Sequence, residues 1–398
     1  MKKTKAERRW LCAVMALMMV ISLGVCLCPL VAADEVVPIA EVEGDVSLNL
    51  SCKSAVLMEA STGRVLYEQN PDEALPPASV TKIMTLLLVM EAIDDGKLSW
   101  DDKVSVSAHA ASMGGSQVYL EEGEEMSARD MIKSVVIASA NDAAVALAER
   151  VAGSEEAFVK QMNKRAAELG MENTKFENTN GLDDTAVDHV TSAEDIAIMS
   201  RALISHKEIL EYSSFWMDTI RDGAFGLTNT TRLVRFYRGC NGLKTGSTAK
   251  AGFCVSVTAE RDGMTLICVI MGAESRAARN AAATKLLDWG FANYGLYSLE
   301  GGSAGEIRVT GGEKSYIDTQ YPTFSCVLPR GDVASVESKV ELADRVAAPI
   351  RSGEAVGKVT LTCRGEEIGS VNITAGETSE RISYGGVLWR MLGRFLMI

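Results

Sequence analysis

Ser79 and Lys82 stand three residues apart in the run Pro76-Pro77-Ala78-Ser79-Val80-Thr81-Lys82-Ile83-Met84-Thr85. At a helix start that spacing sends both side chains off one face, setting a hydroxyl beside an amine. Serine is a weak nucleophile without an adjacent base, and lysine becomes such a base when burial lowers its pKa toward neutrality. The spacing alone is common. Ser247-Thr248-Ala249-Lys250 repeats it, and an N-cap serine next to a solvated lysine would look the same.

Two further polar groups give the pair company. Ser139-Ala140-Asn141 falls at a break between two helical patterns, where alternate residues of a tight turn project together; capping by Ser139 and Asp142 is the plainer use of such a turn. Lys244-Thr245-Gly246 follows Gly242-Leu243 into a polar turn. A lysine and a threonine at a strand end can hold an anion, and Gly246 lets backbone approach a ligand; found alone, the same letters describe an exposed strand end. Ser47-Leu48-Asn49 is a spare Ser-x-Asn. Only three histidines occur, His109, His189 and His206, without a His-Glu-x-x-His, so a serine enzyme here needs a lysine base. Neither a metal nor a cofactor is expected.

The elements that must carry these groups are legible in the pattern. Ser54 to Glu59 and Arg64 to Tyr67 alternate about Ala60-Ser61-Thr62-Gly63, a hairpin. From Ile83 to Ile93 the only charge is Glu91, which makes a core helix of the segment after the prolines. Lys103 to Ser107 reads as a short strand, Ser112 to Gln117 as a connector or rim. Ser127-Ala128-Arg129-Asp130 opens a helix through Ile137, and another runs from Asp142 to Val151. Phe176 to Leu182 is a turn-rich loop, Thr191 to Asp195 starts a helix, and His189 beside it is read as structural. Ala251 to Ala259 and Thr265 to Gly272 are antiparallel strands, and Leu286 to Phe291 lies in a closing helix. From about Leu296 short β-type runs (307–310, 325–328, 356–362, 368–373) make a small all-β domain. Val387, Leu388, Met391, Leu392, Phe395 and Leu396 then fall at helical spacing opposite Arg390 and Arg394. That segment, within 380–398, reads as an interfacial membrane helix too short to span; the alternative is a frayed tail packing on the β-domain.

Length and charge set the context. The 398 residues, 47% hydrophobic and 23% charged, suit two domains or one large one. Lys2, Lys3, Lys5, Arg8 and Arg9 precede an uncharged run from Trp10 to Ala33 ending in small residues, a signal peptide over residues 1–33; the alternative is an uncleaved anchor. Val25 and Leu27 before Cys26 and Cys28 argue against lipidation. Loss of five positive charges and one negative takes the formal charge from −13 to −17, which disfavours nucleic acid as a partner. The six remaining cysteines lack metal-ligand spacing and permit disulfides without demanding them.

Taken in order, Ser-x-x-Lys, Ser-x-Asn and Lys-Thr-Gly resemble the serine penicillin-recognising enzymes. Pro77 to Thr85, Ser139 to Ala144 and Gly242 to Thr248 are similar to the low-molecular-mass penicillin-binding D-alanyl-D-alanine carboxypeptidases, and the exported layout with its β-domain and tail repeats that family over nearly all the chain. The resemblance implies an α+β fold, an antiparallel sheet with an all-helical subdomain over residues 45–294, then the β-rich domain over 296–378. It implies hydrolysis of the terminal D-alanine of peptidoglycan stem pentapeptides at the outer face of the membrane, with β-lactams as acylating inhibitors. It further implies Ser79 as nucleophile, Lys82 as base and Ser139 as proton relay. Asn141 would bind the stem amide, and Lys244, Thr245, Gly246, Ser247 and Arg279 the carboxylate side, with the Ser79 and Ser247 N–H groups as oxyanion hole. A class A β-lactamase would carry Ser-Asp-Asn and a Glu-x-x-Leu-Asn loop; here Ala140 replaces the aspartate and no such loop lies between Asn141 and Lys244. A catalytically silent binder of stem peptides is the other alternative, against which the intact motifs argue.

Overall fold

The computed structural model describes residues 47–183 and 187–396, so the expected signal peptide lies outside them. The alternating pattern after residue 53 forms the hairpin, β1 (Ser54–Glu59) and β2 (Val65–Gln69). Its turn is held by the buried Glu59 carboxylate, which accepts from the N–H groups and hydroxyls of Ser61 and Thr62. Next come a 3-10 turn (Ala78–Thr81) and helices α1 (Lys82–Asp94), α2 (Ala128–Ile137), α3 (Asn141–Ala152), α4 (Glu155–Glu168) and α5 (Ala193–Ser205). Strands β3 (Cys240–Thr248), β4 (Gly252–Arg261) and β5 (Met264–Ala273) and helix α6 (Arg276–Asn293) follow. The five strands make one antiparallel sheet in the order β2-β1-β5-β4-β3.

Side chains alternate across that sheet and supply two cores. Val56, Met58, Ile267, Val269 and Met271 face the helical layer. Ala55, Leu57, Val255, Val257, Leu266 and Ile270 face α6, which covers them with Ala283, Leu286, Leu287 and Phe291. Helix α1 is buried on every side from Lys82 to Met90, as a helix apolar all round must be. Helices α2, α3, α4 and α5 and strand β3 all pack against it, so its first turn cannot shift without moving the core.

Two local expectations change. Ser79 was expected on the first turn of an α-helix; instead Ala78 takes φ +51°, a 3-10 turn carries Ser79, and the α-helix begins at Lys82. The i to i+3 repeat of a 3-10 turn still stacks residues three apart, which is why the pair meets. The strand expected over Lys103 to Ser107 stops at Ser105, because the Ser107 side chain turns to cap the short helix Ala108–Ala111.

Beyond α6, β6 (Tyr294–Leu299) pairs with a strand further on, across β7 (Gly302–Thr310) and β8 (Tyr316–Tyr321); its partner is β9 (Phe324–Pro329). With β10 (Val336–Leu342), β11 (Arg345–Ala347), β12 (Ala355–Cys363) and β13 (Glu366–Ala375), a six-stranded sheet forms in the order β10-β12-β13-β8-β7-β11. Arg64 donates to the Val327 carbonyl and Arg330 to that of Phe291, tying this sheet region to the hairpin and α6. All six described cysteines are free thiols. Helix α7 (Tyr384–Leu396) leaves Leu388, Trp389, Met391, Leu392 and Phe395 exposed while Arg390 donates inward to the Gly312 and Glu313 carbonyls. No described helix is long and apolar enough to cross a membrane.

Candidate active site

Three segments distant in sequence meet at the start of α1. Lys82 is fully buried, with Nζ 2.9 Å from Ser79 Oγ, 2.5 Å from Asn141 Oδ1 and 2.8 Å from the Asn180 carbonyl. Burial, and then the charge of Lys244, hold this amine well below its usual range, with Asp142 opposing. A neutral amine has two N–H donors and one lone pair. The two carbonyl oxygens cannot donate, so they take both N–H groups. The lone pair is left facing the Ser79 hydroxyl.

Ser139 belongs to the junction between α2 and α3, where it takes φ +64°. It does not cap α3: the N-cap position is Ala140, with no side-chain bond. Asp142 does not act as a plain cap either, because its carboxylate also accepts from the N–H groups of Val118 and Leu120. Asn141 completes the tie, donating from Nδ2 to the Gly114 carbonyl and from its backbone N–H to that of Ser116. The stretch expected as connector or rim, and the residues just after it, are thus fastened to the Ser-x-Asn turn by two consecutive residues, Asn141 and Asp142.

Freed from capping, the Ser139 hydroxyl lies 2.6 Å from Lys244 Nζ. Lys244 is buried on β3, and desolvation, then the nearby Arg279 charge, bring it down to about 7. Thr245 is nearly buried and Ser247 exposed at the open end of the strand. Gly246 lies against the Ser79 turn: a Cβ there would stand 2.7 Å from the Pro77 carbonyl oxygen and 2.8 Å from Ser79 N. Glycine is what allows β3 and the nucleophile's backbone to touch. Arg279 does not join the cluster by a hydrogen bond; it is spent on the Cys254 carbonyl and the Asn280 side chain, and reaches Lys244 only through its charge. The spare Ser-x-Asn is an exposed contact between Ser47 and Asn49.

Sequence reasoning missed what holds these groups. Asn180 supplies a backbone carbonyl, to which its residue type gives no clue. The loop around it is fixed by Asn178, whose Oδ1 accepts from Gly181 N–H, and by Glu155, which accepts from Thr179. His189, read as structural, is buried and contacts Thr81, between the two reactive residues. The only available signal was the density of Asn, Thr and Gly in residues 178–181.

Comparison with known proteins follows the same geography. A family model described as D-alanyl-D-alanine carboxypeptidase matches residues 41–275, and one described as penicillin-binding protein 5, C-terminal domain, matches residues 299–381. D-alanyl-D-alanine carboxypeptidase DacF of Bacillus subtilis is 42% identical over 348 residues, 86% of this chain and 89% of its own. Penicillin binding protein 5 from Haemophilus influenzae superposes with a TM-score of 0.72 at 31% identity, over 85% of this chain and 100% of its own. Penicillin-Binding Protein D2 from Listeria monocytogenes, solved in an ampicillin-bound form, gives 0.57 at 37% identity over 62% of this chain and 100% of its own. Because the first family match spans Ser79, Ser139 and Lys244 together and covers more than half of the sequence, the chain belongs to the D-alanyl-D-alanine carboxypeptidase family.

Proposed function

We propose that the protein releases the terminal D-alanine of peptidoglycan stem pentapeptides by way of an acyl group on Ser79, using machinery contained in residues 45–294. One observation carries the reading: the buried Lys82 Nζ lies 2.9 Å from Ser79 Oγ beside two carbonyl oxygens that can take both N–H groups of a neutral amine, which would leave its lone pair for the Ser79 hydroxyl. As Ser79 Oγ attacks the carbonyl carbon of the penultimate D-alanine, its proton passes to Lys82 Nζ. The negative oxygen that develops is met by backbone N–H groups of Ser79 and Ser247. Collapse breaks the C–N bond; Ser139, its hydroxyl 2.6 Å from Lys244, relays a proton to the departing amine and is made good by the proton that Lys82 took from Ser79, which leaves Ser139 a hydroxyl and Lys82 neutral again. Lys244 and Thr245 hold the terminal carboxylate, Gly246 lets this end of β3 lie against the Ser79 turn so that the substrate meets both, and Asn141 binds the stem amide. Water then attacks the ester with Lys82 again as base. A β-lactam offers the same carbonyl in a strained ring and leaves its adduct on Ser79.

The experiment presents the mature chain with a pentapeptide ending in two D-alanines and, separately, with a fluorescent penicillin. Release of one D-alanine per peptide and a persistent adduct on the proteolytic fragment containing Ser79 are expected. Fast turnover of penicillin would instead indicate a β-lactamase, and no adduct at all a silent binder.

Attachment to the outer face of the cytoplasmic membrane belongs to the same reading, through α7. Its outward apolar residues and inward Arg390 suit a helix lying in a lipid interface. A chain ending at Ser383 keeps the bonds that close the β-domain, from Ser379 to Ile350 and from Arg381 to Ala348. It should move to the soluble fraction with D-alanine release unchanged; continued sedimentation with vesicles would remove the helix from the anchoring role.

A further inference from the structure

We infer that His189 is a positioning residue that aims the Ser79 N–H into the oxyanion hole, acting through Thr81 and the Ala78 carbonyl. The inference rests on the proposed acyl-serine reaction and extends it to a residue outside the three motifs.

The argument is an inventory of hydrogens. The Glu177 N–H can only donate, and its acceptor is His189 Nδ1 at 3.0 Å. A neutral ring that accepts at Nδ1 carries its proton on Nε2. Nε2 lies 2.7 Å from Thr81 Oγ1, so the ring donates there and the Thr81 hydroxyl must send its own hydrogen elsewhere. Its remaining neighbour is the Ala78 carbonyl oxygen, 2.8 Å away. Because the peptide unit is planar and trans, fixing the Ala78 C=O fixes the Ser79 N–H on the opposite edge of the same plane. That N–H is the proposed oxyanion donor.

The plane needs holding. Ala78 sits at φ +51°, where an alanine is strained, and relaxation would rotate the amide away from the reacting oxygen. With the other tautomer, Nε2 would accept from Thr81 and the Ala78 carbonyl would lose its donor. The Glu177 N–H therefore selects the ring form on which alignment depends. Thr81 is fully buried and His189 is 7% exposed, so water does not substitute for either link. Burial also pushes the ring down to about 4 against the opposing carboxylates of Glu177 and Asp183, which keeps it neutral under ordinary conditions.

The test measures the acylation rate of Ser79 by penicillin in the full mature chain, with thermal midpoints recorded alongside. Asn can imitate only Nδ1 and so keeps the Glu177 link; Gln reaches the Nε2 position and keeps the Thr81 link. His189→Leu and His189→Asn are expected to slow acylation about 10–100-fold with the non-covalent affinity changed less than about 3-fold. His189→Gln should recover to within about 5-fold of the wild type, at a midpoint no higher than that of the Asn variant. In a Thr81→Val background, His189→Leu should add no further loss, since the relay is already cut. Equal rates for the Gln and Asn variants, or additive losses in the double variant, would overturn the inference. A wild type that never labels Ser79 would overturn the acyl-serine reading instead.

Discussion

Replacing Lys82 with methionine is expected to slow acylation of Ser79 by about 10³-fold while the chain still folds. The size follows from the role: a positioned general base contributes about 10²–10⁴-fold, and no other described group that could accept the proton is bonded to Ser79 Oγ. Folding survives because two changes oppose each other. Methionine removes an amine whose desolvation disfavoured its charged form, but strips the buried Asn141 Oδ1 and Asn180 carbonyl of their donor, at about 1–3 kcal/mol for each unpaired acceptor. Lys82→Arg should fail comparably, since a guanidinium can fill the two carbonyls yet has no lone pair to offer. Stopped-flow labelling with penicillin measures the rate, and thermal unfolding checks the fold. A methionine variant acylated within about tenfold of the wild type would remove Lys82 from the role of base.

Some of this site could be read directly from residue types, and some could not. Ser79 and Lys82 were legible because three-residue spacing brings side chains together in either a 3-10 turn or an α-helix, so misjudging which one carries Ser79 did no harm. The sheet and α1 were legible for a related reason: burial on both faces makes β1, β4 and β5 near-continuous apolar runs bounded by turn residues, and burial on every side makes α1 uniformly apolar. What escaped was whatever depends on backbone. The Asn180 carbonyl, the left-handed φ of Ala78 and Ser139, and the acceptance of loop N–H groups by Asp142 are properties of chain path rather than of residue identity. Arg279 marks the other limit. The family resemblance put it on the carboxylate side of the site, but residue type could not show that its hydrogen bonds go to the Cys254 carbonyl and the Asn280 side chain, or that its charge lowers the Lys244 amine.

The same backbone dependence makes Gly181→Ala the most damaging small substitution expected outside the reactive groups. Gly181 takes φ +82°, and a Cβ there would fall 1.9 Å from the Ala78 carbonyl oxygen, 2.3 Å from its carbon and 2.8 Å from Thr81 Oγ1. None of the three can yield cheaply. Ala78 already occupies a strained φ, its carbonyl is held by Thr81, and Thr81 is fully buried. Moving the loop instead would withdraw the adjacent Asn180 carbonyl from Lys82, leaving that amine a spare N–H and its lone pair free to turn from Ser79. Stability should fall by more than about 3 kcal/mol and acylation by about 10²-fold, measured by thermal unfolding and by penicillin labelling well below the midpoint. Gly170→Ala is the control. It has φ +77° with nothing within 4 Å of the added carbon, so it meets the conformational penalty alone, about 1 kcal/mol, and should label at the wild-type rate. If the two alanine variants lose stability equally and both label normally, the contact between the Asn180 loop and the Ser79 turn does not hold the site. If only the Gly181 variant fails, then a loop with no reactive side chain governs where the nucleophile and its base stand.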